Sequence, residues 1–270
     1  MAEFLSDWAG RLPKSLGKIR KEISLKNKVW FRVGGAAEVF CRPQGEQELS
    51  ILLKSLPQEV PVTIIGMGSN LLVREGGIPG LTIQLGAAFG GIEKKEDSII
   101  AGAAVLDRTL SLYAASEGMQ GFEFLIGVPG ALGGAIRMNA GAYGQETQDL
   151  VQSIRGVTRS GEIYSLTQKE IGFSYRCSQL PEGFIVTEVV FKGQPGQKKH
   201  ILEKYSRAID EGENLAFNLR GTGRSTNSYN NNDDEESLST EEQREQIKQA
   251  LSLALAQASA PSTMFHQQDY

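Results

Sequence analysis

Histidine and cysteine are nearly missing from this 270-residue chain, with two of each. The histidines, His200 and His266, are too few for a multi-histidine metal site or for a histidine-based catalytic triad, so no metal is expected. The cysteines, Cys41 and Cys177, exclude a disulfide framework and have no zinc-ligand spacing; a reduced, cytoplasmic chain is the simplest reading. Long apolar runs are missing too. Nothing approaches the roughly 20 apolar residues of a membrane span, so no membrane insertion is expected. Residues 1–22 lack the continuous apolar core of a signal peptide. An excess of positive charge is also absent. Lys and Arg number 28 against 32 Asp and Glu, for a net charge of −4. That balance argues against a nucleic-acid partner, while leaving room for a local basic pocket around a phosphorylated ligand.

What is abundant is glycine, 31 residues of it. Glycine serves tight turns and close approach of backbone to a ligand. Hydrophobic residues make up 40%, so a packed core is feasible, and 270 residues allow one large domain or two modest ones. Trp8, Leu12, Leu16 and Ile19 share one helical face, so residues 1–22 are predicted as a surface helix. Strands are predicted at 37–42, 62–65 (buried, feeding a loop), 71–73, 81–85, 98–101 and 184–191. Helices are predicted at 47–56, with Leu49, Leu52 and Leu53 inward, and at 106–117, stopped by Gly118. Residues 154–157 and 162–166 flank Thr158-Arg159-Ser160-Gly161, a hairpin signal. Strands mixed with short helices predict an α+β fold. Lys198 opens a further helix to 213, and 241–258 holds another. Between them, 221–242 is polar enough for a loop or disorder.

Three segments carry the chemistry. Gly66-Met67-Gly68-Ser69-Asn70 follows an apolar run, and its backbone N–H groups could converge on an anion while Ser69 and Asn70 add uncharged donors. Taken alone, it could equally be an ordinary strand-to-turn connection. Its spacing is neither that of a dinucleotide-binding Rossmann loop nor of a P-loop. The second segment, Gly127-Val128-Pro129-Gly130-Ala131-Leu132-Gly133-Gly134-Ala135, interleaves small residues with apolar ones and reads as rigid and partly buried. The third, Arg137-Met138-Asn139-Ala140-Gly141-Ala142-Tyr143-Gly144, combines a cation, an amide and an aromatic ring, as a nucleotide site requires. A glycine-rich surface turn remains open for it.

These segments occur together with Asn27-Lys28-Val29-Trp30-Phe31-Arg32-Val33-Gly34-Gly35, Gly76-Gly77-Ile78-Pro79-Gly80, Gly121-Phe122-Glu123-Phe124-Leu125-Ile126 and Phe173-Ser174-Tyr175-Arg176. In this order they resemble the UDP-N-acetylenolpyruvoylglucosamine reductase (MurB) family across residues 27–192. The resemblance implies a bilobed FAD-binding domain of the vanillyl-alcohol-oxidase (PCMH) type, followed by a substrate-binding domain. It implies FAD and NADPH as cofactors and UDP-N-acetylglucosamine enolpyruvate as substrate. The expected product is UDP-N-acetylmuramate, for peptidoglycan. Flavin contacts are implied for Gly66, Met67, Gly68, Ser69, Asn70, Gly127, Pro129, Gly130, Gly133, Gly134, Arg137, Asn139, Gly141, Ala142 and Tyr143. Arg176 matches the family's catalytic arginine, with Tyr175 beside it as a substrate contact. A surface arginine at a loop start is the plain alternative.

The family's proton-donating serine follows a glycine and precedes a phenylalanine by two residues. In Thr222-Gly223-Arg224-Ser225-Thr226-Asn227, Ser225 is the candidate, with Arg224 and Asn227 at the other two places. Residues 228–270 do not resemble the family's closing segment, and no counterpart of its catalytic glutamate is found. The expected organisation is an N-terminal helix over 1–26, an FAD-binding domain over 27–195, and a divergent, partly disordered remnant of the substrate-binding domain over 196–270. A monomer is expected. Two alternatives stay open: a flavin-binding protein without turnover, and a nucleotide- or partner-binding module without flavin.

Overall fold

The structure, a computed structural model, describes residues 8–13, 16, 19–201 and 203–205. Ser225, Arg224, Asn227 and the helix expected over 241–258 lie outside the described residues. Within them, two sheets organise the chain into two lobes.

The first sheet holds β1 (Arg20–Ser24), β2 (Ala36–Cys41), β3 (Val62–Ile65) and β4 (Ile78–Gln84), in the order β1-β2-β4-β3. β1 is antiparallel to β2, whereas β2, β4 and β3 run parallel. Parallel neighbours need a crossover, and α1 (Glu46–Ser55) supplies the one between β2 and β3. Its Leu49, Leu52 and Leu53 are fully buried, as their helical spacing requires. Glu46 and Glu48 in its first turn and Lys54 in its last suit the helix dipole.

The second lobe begins with β5 (Ile92–Lys95) and β6 (Ser98–Gly102), followed by α2 (Asp107–Ser116) and β7 (Met119–Gln120). A 3-10 turn at Glu123–Gly127 leads to α3 (Leu132–Met138) and to a small hairpin of β8 (Gly141–Ala142) and β9 (Gln145–Glu146). Then come β10 (Val151–Val157), β11 (Ile163–Thr167), α4 (Gln168–Ile171), β12 (Ile185–Lys192) and β13 (Gln194–Pro195). The five long strands form one antiparallel sheet ordered β11-β10-β12-β6-β5. The predicted hairpin at 158–161 is present. Thr158 N–H donates to Glu162 O, and Gly161, at φ +80, fits where a Cβ would stand 2.5 Å from Ser50 O.

One apolar core lies under the antiparallel sheet, where Phe122 and Phe191 meet edge to face with centroids 5.9 Å apart. A second core joins the lobes: Leu49, Leu52, Leu53, Leu81 and Ile83 pack with Val157 and Ile185. Glu46, at the start of α1, reinforces the junction. It pairs with Arg155 at 2.9 Å and accepts from Thr187 Oγ1 at 2.7 Å.

Three sequence expectations change. Residues 1–22 are not one helix where they are described. Trp8–Arg11 is a 3-10 turn and Arg20–Ser24 is strand β1. Trp8, Leu12 and Leu16 are nonetheless buried in the junction core, so their spacing marked burial rather than helix. Pro13 cannot donate the hydrogen bond that would carry a helix through. Second, β3 is an edge strand, with Ile64 41% exposed. Third, residues 71–73 form no strand. Just beyond them, Arg74 O accepts from Gly35 and Gly77 N–H, making a turn.

Segments flanking 27–195 pack against it at both ends. β1 pairs along β2, and Trp8 is buried. At the other end, residues 198–201 and 203–205 are helical. There Tyr205, fully buried, donates from its hydroxyl to Ser111 O (2.5 Å) and accepts from Ser111 Oγ (2.9 Å).

Candidate functional site

The 66–70 loop leaves the C-terminal end of β3. Gly68 sits at φ +67 with its carbonyl accepting from Trp30 N–H at 3.0 Å. A Cβ there would lie 2.5 Å from Lys28 O and 2.7 Å from Val29 Cα, so glycine alone lets the 27–35 segment lie flat against the loop. Buried Gln84 at the end of β4 holds the start of the loop, its Nε2 donating to Gly66 O at 3.0 Å. Its Oε1 accepts from Arg42 Nε at 3.0 Å.

Two side chains of this loop reach the second lobe. Ser69 Oγ donates to Pro129 O at 2.8 Å, and Asn70 Nδ2 lies 3.2 Å from Met138 Sδ. The segments at 66–70 and 127–138, separate in sequence, are therefore two walls of one site. On the second wall, Gly127 has the Tyr143 ring against it: a Cβ would come within 2.9 Å of Tyr143 Cε2. Tyr143 and Gly144 form the tip of the β8–β9 hairpin with φ +54 and +79. That pair of signs is what a two-residue type I′ turn requires. A tyrosine held in the left-handed region is uncommon, and such positions concentrate at functional sites.

Gly66, Gly134 and Gly144 are a different case, because a Cβ on any of them would meet nothing within 4 Å. Backbone is thus left uncovered on both walls, and all three glycines are exposed. Uncovered backbone beside the uncharged amide of Asn70, with exposed Arg137 and a half-exposed Tyr143, suits a ligand with a diphosphate and a flat ring.

Tyr175 and Arg176 form the tip of a tight turn near the same wall. Ser174 N–H donates to Cys177 O (2.9 Å) and Cys177 N–H to Ser174 O (3.1 Å), with Arg176 at φ +55. Tyr175 is 81% exposed, and the Arg176 guanidinium stands over its ring at 5.9 Å from the centroid. An exposed aromatic beside an exposed arginine is a ready contact for an anionic, ring-bearing ligand. The turn is tied to α3: Asn139 Nδ2 donates to Ser174 O (3.0 Å) and Ser178 Oγ to Arg137 O (3.0 Å).

Asn139 was expected to touch the cofactor. Its side chain is fully buried, donating also to Glu146 Oε2 (2.8 Å) and accepting from Gln148 N–H (3.0 Å). Ser178, Glu146 and Gln84 were missed. Only Gln84 left a trace, as a polar residue inside the apolar run 81–85. Asp107 was missed as well. It opens α2 with both carboxyl oxygens buried and without a hydrogen-bond partner, one of them 3.2 Å from where a Gly130 Cβ would be. Burial pushes its pKa up to about 7. The two thiols differ sharply: Cys177 is exposed, whereas burial and nearby Glu48 push buried Cys41 up to about 12. Among the described residues no cluster of three His, Cys, Asp or Glu could hold a metal. No described helix is long and apolar enough to cross a membrane.

Known proteins share this arrangement. Residues 37–167 match the model of a family described as an FAD binding domain. The UDP-N-acetylenolpyruvoylglucosamine reductase of Azorhizobium caulinodans is 44% identical over 218 residues, covering 81% of this chain and 71% of that protein. The crystal structure of UDP-N-acetylenolpyruvylglucosamine reductase (MurB) from Thermus caldophilus superposes with a TM-score of 0.65 at 32% identity, over 73% of this chain and 70% of that one. A BBE-like 1 variant from Physcomitrella patens shares the fold at 15% identity and a TM-score of 0.50, over 70% of this chain and 44% of that one. The bilobed α+β unit, its two-walled site and these relatives agree, and the chain belongs to the UDP-N-acetylenolpyruvoylglucosamine reductase (MurB) family of FAD-dependent oxidoreductases.

Proposed function

We propose that this chain reduces UDP-N-acetylglucosamine enolpyruvate to UDP-N-acetylmuramate with NADPH and bound FAD, in the cytoplasm, on the path to peptidoglycan. The observation that carries this reading is the joining of three distant segments on one face: residues 66–70 meet 127–138 through Ser69 and Asn70, and 174–178 joins them through Asn139 and Ser178. The family model and the relatives' names point to the same cofactor and substrate.

Gly66, Met67, Gly68, Ser69 and Asn70 would hold the flavin diphosphate through backbone and uncharged donors. Gly127, Pro129, Gly130, Gly133, Gly134, Arg137, Gly141, Ala142 and Tyr143 would line the rest of the cofactor, with Arg137 at its polar edge. A bound flavin would supply the two-electron chemistry that couples NADPH oxidation to reduction of the enolpyruvyl double bond. Charge then builds on the carbon bearing the carboxylate and on the carboxylate itself. Arg176 would grip that carboxylate with two hydrogen bonds, strongest as charge develops. Tyr175 would pack against the substrate beside it. One proton completes the reduction, and Ser225, outside the described residues, is the candidate donor.

Arg224 and Asn227, standing where the family has glycine and phenylalanine, favour one second reading: flavin bound and reduced, but not reoxidised by substrate. Anaerobic reduction by NADPH followed by addition of the enolpyruvyl substrate separates the two. Bleaching followed by recovery of the oxidised flavin spectrum supports the reductase. Bleaching without recovery supports the second reading and contradicts the first.

A further inference from the structure

We infer that Ser178 and Asn139 are positioning residues that aim Arg176 at the flavin wall. This rests on the role proposed above for Arg176. The turn tip cannot aim itself. Tyr175 and Arg176 are both exposed, and the turn's own bonds, Ser174 N–H to Cys177 O and Cys177 N–H to Ser174 O, close the loop without fixing its direction. Direction comes from below. Ser174 O, at one end of the turn, accepts from Asn139 Nδ2 at 3.0 Å. Ser178, just past the other end, donates to Arg137 O at 3.0 Å. The two anchor points are two residues apart, at the last turn of α3 and its C-terminal cap. The helix that forms the flavin wall is therefore also the mount of the arginine.

The mount is itself stiff. Asn139 caps α3 in the left-handed region at φ +41, fully buried. One amide hydrogen serves Ser174 O and the other Glu146 Oε2, while Oδ1 accepts from Gln148 N–H. All of its side-chain capacity but one lone pair is thus engaged. Ser178, only 6% exposed, makes no other hydrogen bond with its hydroxyl among the described contacts. Two anchors fix a direction where one would permit rotation. A displacement of about 1 Å in a catalytic group can cost roughly a hundredfold in rate.

Ser178→Ala is the main test, because it removes one anchor and little volume. Asn139→Gly is the second, because it deletes the other anchor while keeping the left-handed backbone available. The readouts are FAD affinity, the rate of flavin reduction by NADPH, and the rate of reoxidation by UDP-N-acetylglucosamine enolpyruvate. Aim predicts a split. In Ser178→Ala, affinity and reduction stay within about twofold while reoxidation slows roughly ten- to a hundredfold, and in Asn139→Gly reoxidation slows more than reduction does. A role in folding alone would lower all three together, and that result overturns the inference, as does reoxidation at the unmutated rate. Arg176→Ala, run alongside, separates this inference from its foundation. If Arg176→Ala abolishes reoxidation and Ser178→Ala does not slow it, only the aiming role fails. If Arg176→Ala reoxidises normally, or the unmutated chain never reoxidises, the underlying role of Arg176 fails.

Discussion

The 66–70 wall of the site and the 174–178 turn are held by opposite means. On the 66–70 side, backbone crosses backbone so closely that side chains are excluded. A Cβ on Gly68 would reach Lys28 O at 2.5 Å, and one on Gly77 would reach Ala36 O at 2.0 Å. On the 174–178 side the turn tip is exposed, and two side-chain hydrogen bonds, one from Asn139 and one from Ser178, tie it to α3. Exclusion of volume makes a fixed cradle, suited to a cofactor that stays. Hydrogen-bonded mounting makes a turn whose direction can be altered one bond at a time. The cradle fails through folding, and the turn through geometry.

That difference can be broken most forcefully at the glycines. Gly68→Ala combines a backbone clash with a left-handed conformation, and is expected to cost about 2–4 kcal/mol along with flavin binding, measured by denaturant unfolding and FAD titration. Gly134→Ala is the contrast. It meets nothing within 4 Å and sits in a helix, so stability should hold or rise by up to about 1 kcal/mol while FAD affinity falls. Equal FAD affinity in Gly134→Ala would mean that the open face is not the cofactor's.

Asp107 sharpens the comparison through pH. Burial raises its pKa to about 7, so the folded chain keeps a proton that the unfolded chain releases in the ordinary carboxylate range. The stability this gives is fully present below about pH 4 and is lost as pH rises through 7. Asp107→Asn should flatten that decline, giving a smaller difference between melting temperatures at pH 5 and pH 8. An unchanged difference would remove Asp107 as its source.

Smaller effects lie away from the walls. Tyr205→Phe removes a buried hydroxyl bonded to Ser111 and should cost about 1–2 kcal/mol. No loss would mean that the Tyr205 hydroxyl adds nothing to the stability of the second lobe. The smallest change is expected at Glu46, whose partner Arg155 is 46% exposed at its side chain. Glu46→Gln should cost about 0.5–1 kcal/mol, read in the unfolding midpoint and weakened further by salt.

Local structure was legible wherever the pattern and its physical cause lay close together. α1 announced itself through Leu49, Leu52 and Leu53, and the 158–161 turn through Ser160-Gly161. Residues 71–73 misled because β-branched and aliphatic composition cannot reveal that neighbouring Arg74 O is claimed by Gly35 and Gly77. Residues 8–24 misled because β1 depends on a partner, β2, more than ten residues away. The glycine walls were legible as a set. The mount of Arg176 was not, since Ser178 finds Arg137 O across 41 residues and no local spacing encodes that pairing. Asn139 read only as an amide among glycines, and its burial and bonds to Ser174, Glu146 and Gln148 are likewise not encoded in local spacing.

Reconstitution with FAD tests the central claim most directly: the purified chain is stripped of ligand, mixed with FAD, and its bound flavin counted by absorbance. The account expects one flavin per chain, with binding weakened in Gly134→Ala and unweakened in Glu46→Gln. A folded chain that takes up no flavin would contradict it.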